Sequence, residues 1–69
     1  MNYRIGIDIG GTFTDFAMLK GGEVVLHKNL STPQDRSIGV MEGLEILAGK
    51  EGLSLGEFLG RCEAIVHGT

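Results

Sequence analysis

The fold of this chain is decided by the stretch Gly6-Ile7-Asp8-Ile9-Gly10-Gly11-Thr12-Phe13-Thr14-Asp15. It continues an alternation that begins at Tyr3 and places an apolar side chain at every second position up to Ile9, which is the pattern of a β-strand with one buried face. Gly10-Gly11-Thr12 interrupts the alternation, and a second run rich in β-forming residues extends from Phe13 to Leu19. The sequence therefore predicts two strands joined by a tight glycine turn.

The residue types around this turn are suited to binding a phosphate and a metal ion. Gly10 and Gly11 have no Cβ, so backbone N–H groups can approach an anion there, and Thr12 and Thr14 add hydroxyl donors. Asp8, near the end of the first strand, is suited to hold a hydrated Mg²⁺, because this ion uses one or two carboxylates together with substrate phosphates. The pattern is neither a P-loop nor a Rossmann motif, because its glycines join two strands.

A simpler interpretation of the same residues stays open. Two glycines between strands are often only a hairpin turn, and an Asp beside them is often only a turn-forming side chain. The full constellation favours the phosphate site, because Asp8 has no basic residue next to it and two threonines follow at alternate positions. Asp15 has three open roles: it aligns a threonine, supports a metal ion without touching it, or is a solvated strand acid.

The next segment predicts a third strand and then a helix. Gly21-Gly22 indicates a second tight turn, and Val24-Val25-Leu26 completes an antiparallel meander of three strands. Thr32 is the predicted N-cap of the helix, Pro33 suits its first position, and Asp35 supplies negative charge to its first turn.

This helix is amphipathic, and its glycines predict how closely it packs and where it ends. Gly39 and Gly43 are four residues apart, which lets the helix approach a sheet closely. Gly49 and Gly52 are expected to end it. The predicted apolar face consists of Ile38, Met41, Leu44, Leu47 and Ala48.

A second helix and a last strand complete the pattern. Ser54 and Glu57 have the spacing of a capping box, and Cys62 is predicted to be a small buried residue on the apolar face of this short helix. Residues 63–67 form the last predicted strand. The expected element order is β-β-β-α-α-β, an α/β fold.

Length and composition limit the classes of function. A chain of 69 residues contains at most one small domain, and 9 acidic against 6 basic residues give a net charge of −3, which argues against a nucleic-acid surface. Apolar runs are strand-sized, so no membrane span is expected. One cysteine forbids an internal disulfide, and Cys62, His27 and His67 lack zinc-site spacing, which predicts a reduced, cytoplasmic protein.

Three motifs resemble the N-terminal region of the hydantoinase A and 5-oxoprolinase family, to which the ATP-dependent acetone and acetophenone carboxylase subunits are related. They are Gly6 to Asp15, Ser31-Thr32-Pro33-Gln34-Asp35, and Ile65-Val66-His67-Gly68-Thr69. The shorter Asp-x-Gly-Gly-Thr pattern is shared with sugar kinases and other actin-like ATPases, whereas Phe13-Thr14-Asp15 after it is more specific to this family.

The resemblance implies a ribonuclease-H-like fold, here the incomplete N-terminal subdomain of an actin-like ATPase. ATP and Mg²⁺ would be the cofactors, with Asp8 as catalytic acid and metal ligand. The residues implied to bind the nucleotide are Gly10, Gly11, Thr12, Phe13, Thr14, His67, Gly68 and Thr69. A strand-end histidine such as His67 is also often only structural or solvated.

Family members couple ATP hydrolysis to the opening of a cyclic amide, such as a hydantoin or 5-oxoproline, and the resemblance implies this activity. Alternative functions are an ATP-dependent ketone carboxylase subunit, a sugar kinase of the same superfamily and a non-catalytic docking module. Residues 1–69 would be one part of an ATPase domain whose remainder and partner domain are absent. The isolated chain is therefore expected to be inactive and to need the rest of its polypeptide, with a second subunit as a further candidate partner.

Overall fold

The order of elements in the computed structural model is the predicted order β-β-β-α-α-β, and the structure describes residues 2–68. The strands are β1 (Tyr3–Ile9), β2 (Phe13–Lys20), β3 (Glu23–Leu30) and β4 (Cys62–Gly68). The helices are α1 (Arg36–Lys50) and α2 (Leu55–Gly60), which connect β3 to β4. No helix within residues 2–68 is long and apolar enough to cross a membrane.

The four strands form one mixed sheet in the order β3-β2-β1-β4. The predicted antiparallel meander is confirmed, because β1 pairs with β2 and β2 with β3 in antiparallel fashion. Gly21, at the turn between β2 and β3, has a φ of 57°, a backbone conformation that favours glycine. The last strand, β4, lies parallel to β1, so the carboxyl ends of these two strands meet at one edge of the sheet.

Both helices contribute to a single core on one face of the sheet. The alternation in β1 directs its buried side chains to this face, and β2 adds side chains in the matching register. The buried apolar residues are Tyr3, Ile5, Ile7, Phe16, Met18, Leu44, Leu47, Ala48 and Phe58. The opposite face of the sheet is not covered by either helix and exposes apolar side chains from β2, β3 and β4.

The start of α1 differs from the prediction, because the N-cap is Asp35 and not Thr32. Asp35 Oδ1 accepts a hydrogen bond from the backbone N–H of Ser37 at 3.1 Å, while residues 32–35 form a turn closed by the N–H of Asp35 on the carbonyl of Thr32. The Thr32 hydroxyl accepts a hydrogen bond from Gly39 N at 2.8 Å and donates to Asp35 O at 2.6 Å. Thr32 thus supports the helix from outside its first turn.

The face that α1 packs on the sheet is centred on its glycines. Gly39 and Gly43 are buried together with Leu44, Leu47 and Ala48, whereas Ile38 and Met41 are 51% and 38% exposed. The predicted face was therefore wrong at Ile38 and Met41, because hydrophobicity alone ignores positions where the backbone itself makes the contact. The predicted end is confirmed at Gly52, which follows the C-cap Glu51 with a φ of 71°, whereas Gly49 lies inside α1, which stops at Lys50.

The capping box at the start of α2 is confirmed. Ser54 Oγ accepts from the N–H of Glu57 at 3.2 Å, and the Glu57 carboxylate accepts from the N–H of Ser54 at 3.1 Å, which holds the pKa of Glu57 below its usual range. Cys62 does not lie on this helix as predicted but begins β4, half-buried against the core. Its thiol donates to the carbonyl of Phe58 at 3.3 Å, and burial raises its pKa.

Candidate functional site

The turn between β1 and β2 has a fixed shape with an open outer side. The N–H of Gly10 donates to the carbonyl of Phe13 at 2.9 Å, and a Cβ on Gly10 would lie 2.8 Å from that same oxygen. Only glycine fits there without a shift of the backbone. A Cβ on Gly11, in contrast, would meet no atom within 4 Å, so the space above Gly11 is empty.

The turn also presents unused hydrogen-bond donors. Gly11 and Thr12 are exposed, and no hydrogen bond within residues 2–68 engages the backbone N–H of either residue. Successive backbone N–H groups in a turn are one of the arrangements by which proteins bind anions. We refer to residues 10–13 as the phosphate loop, after the ligand that the sequence predicts for them.

Asp8 lies beside the phosphate loop, near the end of β1. It is exposed, and it is paired with Asp15 of β2 on one side and with Gly68 of β4 on the other. Residues directly opposite each other in a sheet share a face, so the two carboxylates are neighbours. Lys28 of β3 contacts Asp15 at 3.6 Å, whereas no ion pair or hydrogen bond within residues 2–68 involves the Asp8 side chain. Asp8 is therefore the carboxylate left free to bind a cation.

The surface next to these carboxylates is a shallow depression of about 390 Å³ on the uncovered face of the sheet. Asp8, Asp15, Gly68 and Val66 contribute to its lining. The part of the chain that the structure describes has no group of three or more His, Cys, Asp or Glu side chains able to hold a metal ion by themselves. A site with one or two carboxylates fits Mg²⁺, an ion that usually completes its coordination with waters and substrate phosphates.

Thr14 does not present its hydroxyl to this surface, contrary to the prediction that it adds a donor to the cradle. It lies opposite Ile9, faces the helices and is 1% exposed. Its Oγ1 is 2.9 Å from Oγ of Ser31. Through its contact with Ser31, the Thr14 side chain therefore supports the phosphate loop from the core side of the sheet.

Ser31 is a residue that the sequence identified only as part of a family motif, yet it holds the phosphate loop. It follows β3 directly, its hydroxyl donates to the carbonyl of Gly10 at 2.7 Å, and its N–H donates to the carbonyl of Thr12 at 2.8 Å. The periodicity of β3 carries no signal for these contacts, because they depend on the register between β2 and β3.

The other predicted site residues divide between the two faces of the sheet. Phe13 is on the uncovered face, with the ammonium of Lys28 5.4 Å from its ring centroid, and Gly68 lies beside Asp8. His67 is paired with Ile7 and faces the helix side, where it lines a separate depression of about 280 Å³ with Arg36. Thr69 lies outside the described residues. The structure thus gathers Asp8, the phosphate loop and Gly68, but not the side chains of Thr14 and His67.

The two groups whose pKa values are shifted by an ion pair, Lys20 and Glu51, lie near the start of β1, away from the phosphate loop. Lys20 Nζ is 2.7 Å from Glu51 Oε2, which raises the pKa of Lys20 and lowers the pKa of Glu51. Burial, followed by a hydrogen bond to Glu51 at 3.1 Å, raises the pKa of Tyr3. This cluster attaches the end of α1 to the sheet and is structural.

Relatives of known function share nearly the whole of this chain. The alpha subunit of caprolactamase from Pseudomonas jessenii is 41% identical over 68 residues, which are 97% of this chain and 10% of the relative. The gamma subunit of acetophenone carboxylase from Aromatoleum aromaticum is 45% identical over 65 residues, or 94% and 9% of the two chains. The beta subunit of acetone carboxylase from Xanthobacter autotrophicus is 38% identical over 64 residues, or 91% and 9%.

The fold has a solved counterpart as well. A nucleotide-free structure of acetone carboxylase, from work on ATP-dependent acetone carboxylation, superposes with a TM-score of 0.82 at 35% identity and covers 96% of this chain and 10% of that one. The α/β fold class predicted from the sequence is confirmed by this match. The chain spans about a tenth of the length of the relatives that it matches. Residues 4–69 match the profile of the hydantoinase/oxoprolinase N-terminal region, and the chain therefore belongs to the hydantoinase/oxoprolinase family.

Proposed function

We propose that this chain is the N-terminal phosphate-binding part of an ATP-dependent enzyme that opens cyclic amides of the hydantoin or 5-oxoproline type. The observation that carries the proposal is the free carboxylate of Asp8 beside a phosphate loop with unpaired N–H groups at Gly11 and Thr12. The family supports the choice of substrate class, and so does the caprolactamase relative, since a lactam is a cyclic amide.

Ketone carboxylation is the second candidate, and it has equal support from the relatives. Acetophenone carboxylase and acetone carboxylase subunits match the chain as well as the caprolactamase subunit does. Both reactions have a common chemical need, because an amide nitrogen is a poor leaving group and a ketone is a weak carbon nucleophile. Transfer of the γ-phosphoryl group of ATP to the carbonyl or enolate oxygen, with release of ADP, activates either substrate.

The residues of this chain would act by position and charge. The N–H groups of Gly11 and Thr12 would donate to phosphate oxygens, and the empty space above Gly11 admits them. Asp8 would hold Mg²⁺ together with those oxygens, and the ion would neutralise charge on the phosphates. Because phosphoryl transfer requires little covalent participation by the protein, these contacts are the expected contribution of this segment.

The uncovered face of the sheet supports the proposal that this segment works within a longer polypeptide. A largely antiparallel sheet with one solvated face normally carries polar side chains on that face, whereas this face carries large apolar ones. The large apolar side chains exposed on this face are Phe13, Leu19, Val24, Leu26, Leu30 and Val66. A further domain covering them would also close the depression beside Asp8.

The test uses the proposed full-length enzyme and the substitution Asp8→Asn. The variant should fold normally, because Asp8 is exposed, and should lose Mg-ATP turnover by about 100-fold or more. Glu42→Gln, which removes an exposed carboxylate on α1, is the matched control and should leave turnover unchanged. Phosphate release is the measurement, and full turnover by Asp8→Asn would contradict the proposal.

The same assay separates the candidate functions. Phosphate release with a hydantoin or 5-oxoproline in the absence of bicarbonate indicates the hydrolase. Release that needs both a ketone and bicarbonate indicates the carboxylase. A phosphorylated sugar without free phosphate indicates the kinase, and no turnover with any of these substrates favours the docking module.

A further inference from the structure

We propose that Ser31 is the positioning residue that turns the carbonyl of Gly10 away from the nucleotide and so aims the N–H of Gly11 in the phosphate loop at it. This inference rests on the function proposed above and assigns a role to a residue that touches no phosphate itself. It follows from three hydrogen bonds that converge on one serine directly after β3.

The direction of these hydrogen bonds is fixed by counting protons. The Ser31 hydroxyl has one proton, and a carbonyl oxygen can only accept, so this proton is donated to Gly10 O at 2.7 Å. In the contact of 2.9 Å between Thr14 Oγ1 and Ser31 Oγ, Thr14 must then be the donor. The buried Thr14 therefore orients the Ser31 hydroxyl, and the Ser31 hydroxyl orients the loop.

The planar peptide bond converts this contact into an orientation of donors. All peptide bonds of the described residues are trans, and in a trans peptide the C=O and the following N–H point in opposite directions. Since the Gly10 carbonyl points to the Ser31 hydroxyl, the N–H of Gly11 points away from Ser31. The Thr12 carbonyl accepts from the Ser31 N–H at 2.8 Å, so the N–H of Phe13 also points away from Ser31.

Ser31 thus holds two carbonyl oxygens, which would repel a phosphate, on its own side of the loop. Without its hydroxyl the Gly10 peptide has no side-chain partner in the described structure and is free to rotate, which would turn a carbonyl toward the anion. The backbone contact to Thr12 does not depend on the side chain, so substitution of Ser31 should weaken the site without dismantling β3.

The test compares Ser31→Ala, Ser31→Thr and Ser54→Ala in the proposed full-length enzyme. Ser31→Ala should raise the KM for ATP roughly tenfold, which is the effect expected when the N–H of Gly11 loses its well-oriented hydrogen bond to a charged phosphate oxygen. The KM for the organic substrate should stay unchanged. Ser31→Thr keeps the hydroxyl and should restore ATP binding. Ser54→Ala removes the N-cap of α2, which lies away from the phosphate loop. It should lower the free energy of unfolding but leave the KM for ATP and the KM for the organic substrate unchanged.

Each result decides the matter. An unchanged KM for ATP in Ser31→Ala, or equal effects of Ser31→Ala and Ser54→Ala, would overturn the positioning role while leaving the proposed function intact. Failure of Ser31→Thr to restore binding would show that the hydroxyl is not responsible. Absence of ATP binding by the unmodified enzyme would overturn the proposed function itself. If Ser31→Ala does not fold, Ser31→Cys, with a weaker donor of similar size, serves the same comparison.

Discussion

Replacing Gly43 by alanine should destabilise the fold, although alanine is the better helix former. Gly43 is the buried glycine of α1 that lies over Phe16 and Asn29. A Cβ there would come closer than 3.0 Å to the Phe16 ring, nearer than real Cβ atoms approach, and 2.7 Å from Asn29 Oδ1. Neither neighbour moves easily, since Phe16 is buried and Asn29 is hydrogen-bonded to His27 and to the carbonyl of Gly39.

Two opposing free energies set the size of the effect. Helix propensity favours alanine over glycine by about 1 kcal/mol. Overpacking of a well-packed core costs about 1–3 kcal/mol, and the rigid surroundings of Gly43 place this site near the upper value. The free energy of unfolding should therefore fall by about 2 kcal/mol, equivalent to a fall in Tm of roughly 8–16 °C for a domain of this size.

Urea unfolding followed by far-ultraviolet circular dichroism measures this difference, and Gly49→Ala is the matched control. Gly49 lies in the same helix, but a Cβ on it would meet no atom within 4 Å. Gly49→Ala should therefore raise the free energy of unfolding by about 0.5–1 kcal/mol. The two substitutions are chemically identical and are expected to act with opposite signs. Equal stabilisation by both would refute the close packing of α1 on β2 and β3.

Two further predictions concern the phosphate loop and the ion pair at the end of α1. In the proposed full-length enzyme, Gly11→Val should leave the Tm unchanged but abolish ATP binding measured by calorimetry, because the valine side chain would occupy the empty space above the loop. Gly10→Ala should instead lower the Tm, because its Cβ would lie too close to the carbonyl oxygen of Phe13. Since the folded pKa of Glu51 is below its ordinary value of 4.5, the stability advantage of the unmodified chain over Glu51→Gln should be full near neutral pH and shrink as pH falls below about 4.5. Because the folded pKa of Lys20 is raised above 10.5, this advantage should persist up to about pH 10 and decline only above it. A Tm difference between the two proteins that is the same at pH 3 and pH 7 would contradict the role of this ion pair.

Local signals in the sequence were sufficient wherever the structure depends on a few adjacent residues. The alternation in β1, the glycine turn after β2 and the capping box at Ser54 each involve neighbours within one element, and each is confirmed. The exposed position of Asp8 also follows from the alternation, because Ile7 and Ile9 face the core side.

The errors occurred where two local choices were comparable and a distant contact selected between them. Thr32 and Asp35 are both good N-caps, and the contact of the Thr32 hydroxyl with Gly39 leaves Asp35 as the cap. In β2 both faces carry apolar residues, so periodicity does not say which way Thr14 points, and only its pairing with Ile9 and Asn29 does. Packing and register are properties of the whole fold, which a single element does not encode.

The link between β3 and α1 shows how such distant contacts connect the site to the core. The Ser31 hydroxyl donates a hydrogen bond to the carbonyl of Gly10 in the phosphate loop. The hydroxyl of the next residue, Thr32, accepts a hydrogen bond from the N–H of Gly39 in the first turn of α1. Gly39 allows this close approach, because a Cβ there would lie only 3.2 Å from both the Leu30 carbonyl oxygen and the Thr32 hydroxyl and its neighbours would have to shift by a few tenths of an ångström. Since Ser31 and Thr32 are adjacent, a displacement of α1 along the sheet would be transmitted to the carbonyl of Gly10 through one residue. The position of α1 on the sheet and the orientation of the Gly10 carbonyl are thus held by two adjacent residues, Ser31 and Thr32, which couples the packing of the core to the shape of the phosphate loop.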